Sequence, residues 1–136
     1  MKVHVSTVRV ETTRRLEIVD ITGLVEHKVK ESSVRNGIVT VFVPHATAAI
    51  IANEYEPRLV EDYIEAFKSI APPGRSWRHN VIDDNAHAHL IAGIIGPSRQ
   101  FPLVDGRIER GTWQNIMLVE LDGPRTRRII VHIIGG

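Results

Sequence analysis

Val3, Val5, Val8 and Val10 give Lys2 to Val10 enough period-two alternation for a β-strand. Thr12-Thr13 reads as a turn and Arg14 to Asp20 as a second strand, so the chain is expected to open with a hairpin. Thr22 can cap a helix running to about Ser33, with Val25 and Val29 on one face, and Asn36-Gly37 stops it. Ile38 to Val43 is apolar except for Thr40, the pattern of a strand buried on both faces, and Pro44 ends it. Thr47 to Ala52 reads as the next strand. Pro57 suits the first turn of a helix carrying Leu59, Tyr63, Phe67 and Ile70 at helical spacing, and Ala71-Pro72-Pro73-Gly74 breaks it. Asp83 or Asp84 can cap a further helix with Leu90, Ile91, Ile94 and Ile95 as its apolar stripe, ending near Gly96-Pro97. Gln100 to Val104, Thr112 to Leu121 and Arg127 to Ile134 read as strands, with turns at Asp105-Gly106 and Asp122-Gly123-Pro124. Strands and helices do not alternate regularly. The expected fold is therefore α+β: one domain over residues 1–136, a sandwich of mixed or mostly antiparallel sheet with about three helices.

Composition narrows the function classes. Seventeen basic and 16 acidic side chains leave a formal charge of +1, which argues against charge-driven binding to nucleic acid or a membrane. Any anion site must be local. There is no cysteine, so disulfides, zinc-thiolate sites and thiol catalysis are excluded. Aromatic residues make up 5%, too few for base-stacking platforms. No signal-peptide pattern opens the chain, and no apolar run approaches the ~20 residues of a membrane helix. A soluble, cytoplasmic protein is expected. No glycine-rich phosphate loop with a lysine is present.

Four places interrupt apolar structure with chemistry. His45 follows a buried strand, where ends open onto clefts; it is either a catalytic group or a histidine satisfied by backbone. Asn53-Glu54 precedes a helix, and Glu54 can act as acid, base or metal ligand, or simply offset the helix dipole. The segment from His79 to His89 holds three histidines, two aspartates and two asparagines, a density that is costly to bury without partners. Helical phase places His87 with Ile91 and Ile94, toward the core, in a structural role. It places His89 with Asn85, Ala92, Gly93 and Gly96 on a face of small residues. His87 and His89, two apart on a helix, cannot share one metal; a metal would need one of them plus His45, His79 or a carboxylate such as Asp84, and Glu54 and Asp84 could hold magnesium. Finally, Gln114 and Glu120 interrupt one face of a buried-looking strand, and the following turn presents Arg125, which is either an anchor whose planar fork suits phosphate or carboxylate or part of an exposed basic edge. Arg127 and Arg128 read as an exposed basic edge strand.

These residues also carry a resemblance. Pro44-His45-Ala46-Thr47-Ala48-Ala49, Asn53-Glu54, His79, Asp84-Asn85-Ala86-His87-Ala88-His89-Leu90, Gly111-Thr112-Trp113-Gln114 and Glu120-Leu121-Asp122-Gly123-Pro124-Arg125 occur in order. In combination they resemble the YjbQ family from end to end. One departure is Ala46, where the family's proline-histidine-threonine-threonine has its first threonine. The resemblance implies a homotrimer with a polar pocket and a weak, secondary thiamine-phosphate synthase activity. That reaction joins a pyrimidine methyl pyrophosphate to a thiazole phosphate. On this reading His45, Glu54 and His89 are catalytic, and Thr47, Asn85, Gln114 and Arg125 bind substrate or phosphate. A phosphorylated small molecule is the partner, a divalent metal is admissible, and no organic cofactor is implied. A small-anion-binding or regulatory module without turnover is the competing reading.

Overall fold

The computed structural model describes residues 1–136. In chain order the elements are β1 (Lys2–Glu11), β2 (Glu17–Asp20), α1 (Thr22–Ser32), β3 (Gly37–Phe42), β4 (Ala48–Asn53) and α2 (Pro57–Ile70). There follow a 3-10 turn (Arg78–Val81), α3 (Ala86–Ile95), β5 (Ser98–Val104), β6 (Arg107–Ile108), β7 (Asn115–Glu120) and β8 (Thr126–Gly135). A five-stranded sheet runs β1-β8-β3-β5-β6 and a three-stranded sheet runs β2-β7-β4. Every pairing is antiparallel. With three helices, this is the α+β sandwich that the sequence pattern implies.

The small sheet is the middle layer. One face, with Ala48, Ile50, Ile116 and Leu118, packs with α1 residues Val25 and Val29 against Val39, Val41, Ile129, Val131 and Ile133 of the large sheet. The other face, with Ala49, Ile51, Met117 and Val119, packs against Phe67 of α2 and Ala88, Ile91 and Ala92 of α3. Burial on both sides explains why β4 and β7 are almost continuously apolar.

Three expectations change. The N-terminal hairpin does not form: β1 pairs with β8, Val10 opposite Arg127, whereas β2 pairs with β7 in the other sheet. Instead of turning, Thr12 is fixed between the sheets. Its N–H donates to the Arg125 carbonyl at 2.9 Å and its hydroxyl to Glu120 Oε2 at 2.8 Å. The doubly buried strand is not Ile38 to Val43, because β3 alternates: Val39 and Val41 are buried and Ile38 is exposed. The basic strand β8 is not an edge but lies between β1 and β3.

Helix starts also differ in detail. Glu56 caps α2, its Oε2 accepting from the Leu59 N–H at 2.8 Å, with Pro57 in the first turn. Neither Asp83 nor Asp84 caps α3, which begins after Asn85; Asn80 Oδ1 accepts from the Ala86 N–H at 3.2 Å. The stop after α1 is Ser33 in left-handed backbone (φ 59°), ahead of Asn36-Gly37. Asp105 (φ 51°) and Gly106 (φ 80°) supply the consecutive left-handed residues of a tight β5–β6 hairpin.

The outer face of the large sheet has no layer over it. Across one row lie Val3, Ile134, Ile38 and Pro102; across another, Thr7, Ile130, Phe42 and Ser98, with His132 between the rows. Val3, Val5 and Ile38 are 63%, 58% and 46% exposed, a large apolar surface for a single chain.

Candidate functional site

The site is built on a buried ion pair. Glu120 ends β7 on the face that carries Ile116 and Leu118, and Arg127 stands on β8 in phase with Ile129, Val131 and Ile133. Both project into the gap between the sheets, where their side chains are 0% and 3% exposed. Both oxygens of Glu120 and two of the three guanidinium nitrogens of Arg127 are partnered. Arg127 Nε donates to Glu120 Oε2 at 2.8 Å, and another guanidinium nitrogen reaches Glu120 Oε1, Thr47 Oγ1 (2.8 Å) and the Thr47 carbonyl (3.1 Å). Glu120 also accepts from the Asp122 N–H at 2.9 Å. Hydrogen bonds of this kind offset the desolvation cost of a buried pair. Here the pair welds β8, β7 and the loop before β4 together. Arg127 is thus not the exposed edge residue its neighbours in sequence suggest; alternation, not local charge, decides which side it faces.

Above the pair opens a cleft of about 530 Å³ lined by His45, Thr47, Asn85, His89, Asp122 and Arg125, among others. His45 Nε2 accepts the Arg128 N–H at 3.0 Å, which leaves the ring proton on Nδ1. Burial, with the positive charge of Arg127 and Arg128, lowers the His45 pKa. Its imidazole is therefore a neutral donor near pH 7. Asp122 is the hub. One carboxylate oxygen accepts from Asn85 Nδ2 (2.8 Å) and Arg125 (3.0 Å), and the other faces Arg15 Nε at 3.1 Å. Burial works against its charge, but the bonds from Asn85 and Arg125 and the charge of Arg15 hold its pKa below the ordinary value. Arg125 spends its Nε on the Asp122 carbonyl at 2.7 Å, leaving one terminal nitrogen uncommitted. The amide orientation of Asn85 is fixed by Asp122, and its Oδ1 is buried without a partner.

His89 also lines a neighbouring cleft of about 480 Å³ with Arg75, Trp77, Arg78 and His79. Arg75 lies 4.7 Å over the Trp77 ring, and the His79 and His89 ring centroids are 4.8 Å apart. No acidic residue lines this second cleft.

His45, Thr47, Asn85, His89 and Arg125, drawn from three distant segments, therefore meet. Two candidates lie elsewhere. Asn53 pairs with Asn115 at the far end of the β4–β7 ladder, about 17 Å of strand away from Ala48. Glu54 follows Asn53 there, and the helix cap next to it is Glu56. Gln114 precedes β7 at that same far end, its Oε1 accepting the Gly111 N–H at 2.7 Å. Gln114 and Glu120 share a face by alternation but sit at opposite ends of the strand. The metal candidates separate as well: His79 packs on His89, while Asp84, 77% exposed, pairs with Arg15 at 3.3 Å. No three His, Asp or Glu side chains of one chain converge on a single position. His87 is buried with Ile91, as its phase implies, although Ile94 on the same stripe is 67% exposed.

Asp122, Arg127, Thr12 and Arg15 escaped the sequence reading. A signal existed for one: Arg127 is in period-two phase with Ile129, Val131 and Ile133, and Glu120 in its apolar strand required a buried cation.

Acid should loosen this end of the molecule. Burial lowers the pKa of both His45 and His87, so the folded state resists protonation that the unfolded chain accepts. Their contribution to stability is intact above the ordinary imidazole pKa of about 6.5 and declines as pH falls below it. The contribution of Asp122 is present above the ordinary carboxylate pKa and is lost as pH falls through its lowered value. Urea midpoints should therefore decline from pH 7.5 to pH 5. In a His45→Asn, His87→Asn double variant that decline should flatten; an equally steep profile would rule out the two histidines as its cause.

The chain matches the family model described as UPF0047 protein YjbQ-like over residues 6–136. A UPF0047 protein of Methanothermobacter thermautotrophicus is 43% identical, covering 99% of this chain and 94% of its own length. The UPF0047 protein YugU of Bacillus subtilis is 34% identical over 95% of this chain and 98% of its own. The crystal structure of a YbjQ-like protein of unknown function from Sulfolobus solfataricus shares 54% identity and superimposes with a TM-score of 0.98, covering 99% of both chains. Sequence and fold converge: this chain belongs to the YjbQ-like UPF0047 family.

Proposed function

We propose that this protein is a cytoplasmic, trimeric small-metabolite enzyme that binds a phosphorylated ligand in the His45–Arg125 cleft and has weak thiamine-phosphate synthase activity. The observation that carries the reading is the convergence of His45, Thr47, Asn85, His89 and Arg125 on one polar cleft over a rigid buried ion pair. The reaction forms a C–N bond from the thiazole nitrogen to the pyrimidine methylene carbon and breaks that carbon's bond to pyrophosphate. The protein must orient two phosphorylated substrates and stabilise the departing pyrophosphate.

The free nitrogen of Arg125 and the Nδ1–H of His45 are suited to phosphate oxygens. His45, neutral and held through Nε2, serves as a hydrogen-bond donor. The proton taken up by the leaving group is assigned to His89, which stands between the two clefts. The second cleft, with Trp77 and two arginines and no acidic residue, suits the ring of the same ligand. The orphaned Asn85 Oδ1 suits an N–H or O–H donor on it.

Arg125→Lys tests the assignment. Lysine keeps the charge but cannot hold Asp122 through two nitrogens while offering a third to phosphate. Product formation from the two phosphorylated precursors should fall about tenfold to hundredfold. Equal rates would remove Arg125 from the site. If wild-type protein gives no product above background yet still binds pyrophosphate, the protein is a binding module without turnover.

A further inference from the structure

His87 is 93% out of solvent, and neither of its ring nitrogens has a hydrogen-bond partner in the protein; its Nδ1 is sealed in completely. A bare buried lone pair costs less than a stranded buried N–H, so the proton belongs on Nε2. His87 contributes to the wall of a separate cleft of about 540 Å³, on the other side of Asp122 from the His45 cleft, together with Arg15, Lys68, Asn80 and Asp84. Lys68 is half exposed, and its nearest acid, Glu65, is 3.8 Å away. The Arg15 terminal nitrogens reach only Asp84, at 3.3 and 3.5 Å, and Asp84 is itself 77% exposed at the rim.

We infer that this cleft is a second oxyanion site, in which a phosphate-sized anion takes donors from Lys68 and the His87 Nε2–H and displaces Asp84 from Arg15. Displacing a loosely held, exposed carboxylate is inexpensive, and a dianion gathers charge-assisted bonds that Asp84 does not supply. The site is wired to the first cleft. Arg15 Nε keeps one oxygen of Asp122, whose other oxygen orients Asn85 and Arg125. An anion that draws Arg15 outward therefore shifts the group that positions two residues of the first cleft. The inference does not rest on the enzymatic reading above.

Long-range proton–nitrogen NMR of the histidine rings separates the two clefts, with inorganic phosphate as the probe. His87 should show a saturating change at Nε2, and Lys68→Met should weaken that response about tenfold, the loss of one charge-assisted bond. Arg125→Lys should leave the His87 titration in place while altering those of His45 and His89. A His87 resonance that stays fixed, or moves identically in Lys68→Met, would overturn the second site, whatever His45 and His89 do. Movement of His87 alone would support it and leave the first cleft without phosphate.

Discussion

Arg127→Met is expected to destabilise the protein by about 3–5 kcal/mol, because it strands the Glu120 carboxylate between two sheets with no cation. Glu120→Leu should cost a similar amount by leaving a buried guanidinium with only the oxygens of Thr47. The informative protein is the double variant. Glu120→Leu with Arg127→Met removes both charges and keeps apolar volume, so it should recover most of the loss. Urea denaturation of all four proteins gives the coupling directly. A single-variant loss below about 1 kcal/mol would mean that water reaches the pair and that the cleft floor is not rigid. Recovery of stability in the double variant without recovery of phosphate binding would show the pair holding Thr47 and the cleft in shape, and not simply the fold.

An equally large effect is expected on assembly. The proposed trimer needs an apolar surface that one chain leaves uncovered. The small-residue face of α3 is one candidate for the contact, but Ala92 is buried within its own chain against the middle sheet. The larger uncovered surface is the outer face of β1, β8 and β3, where Val3, Val5 and Ile38 are exposed beside Ile130 and Ile134. Val5→Asp with Ile38→Asp should convert a trimer to monomers in light scattering at micromolar concentration. Both side chains are largely exposed in the single chain, so its own core is untouched and circular dichroism should be retained. Ile94→Asp on α3 is the matched control and should remain trimeric. The opposite result would return the contact to α3, and a wild-type monomer would remove the trimer altogether.

Much of the secondary structure was legible because it depends on short-range physics. Pro57 fixes the backbone at a helix start, the Val25 and Val29 spacing gives α1 its buried face, and Asp105-Gly106 supplies a tight turn. Partnership was less legible. The β1–β2 hairpin was the natural reading of two adjacent strands, yet β1 pairs with β8 more than a hundred residues away. Nothing local records that Thr12 is drawn between the sheets by Glu120 and the Arg125 carbonyl. Candidate chemistry divided in the same way. His45, Thr47, Asn85, His89 and Arg125 are marked by polar residues interrupting apolar structure, but so are Glu54 and Gln114. Alternation tells which face a residue takes and not which end of the strand meets the cleft.

The sequence by itself determined the family, the α+β class, the absence of thiol chemistry, the burial of His87 and the identity of most polar residues around the cleft. The family follows from the ordered motifs that carry the resemblance, and the rest from residue type and periodicity, which are properties of short stretches. Only the tertiary structure decided that Arg127 is a buried counter-ion and that Asp122 ties Arg15 to Arg125. It likewise separated Glu54 and Gln114 from His45 by the length of a strand. The reason is physical: charges cannot be left alone between two sheets, so the partner of each is chosen by which strands stack, and stacking is a contest among distant segments that no local pattern records.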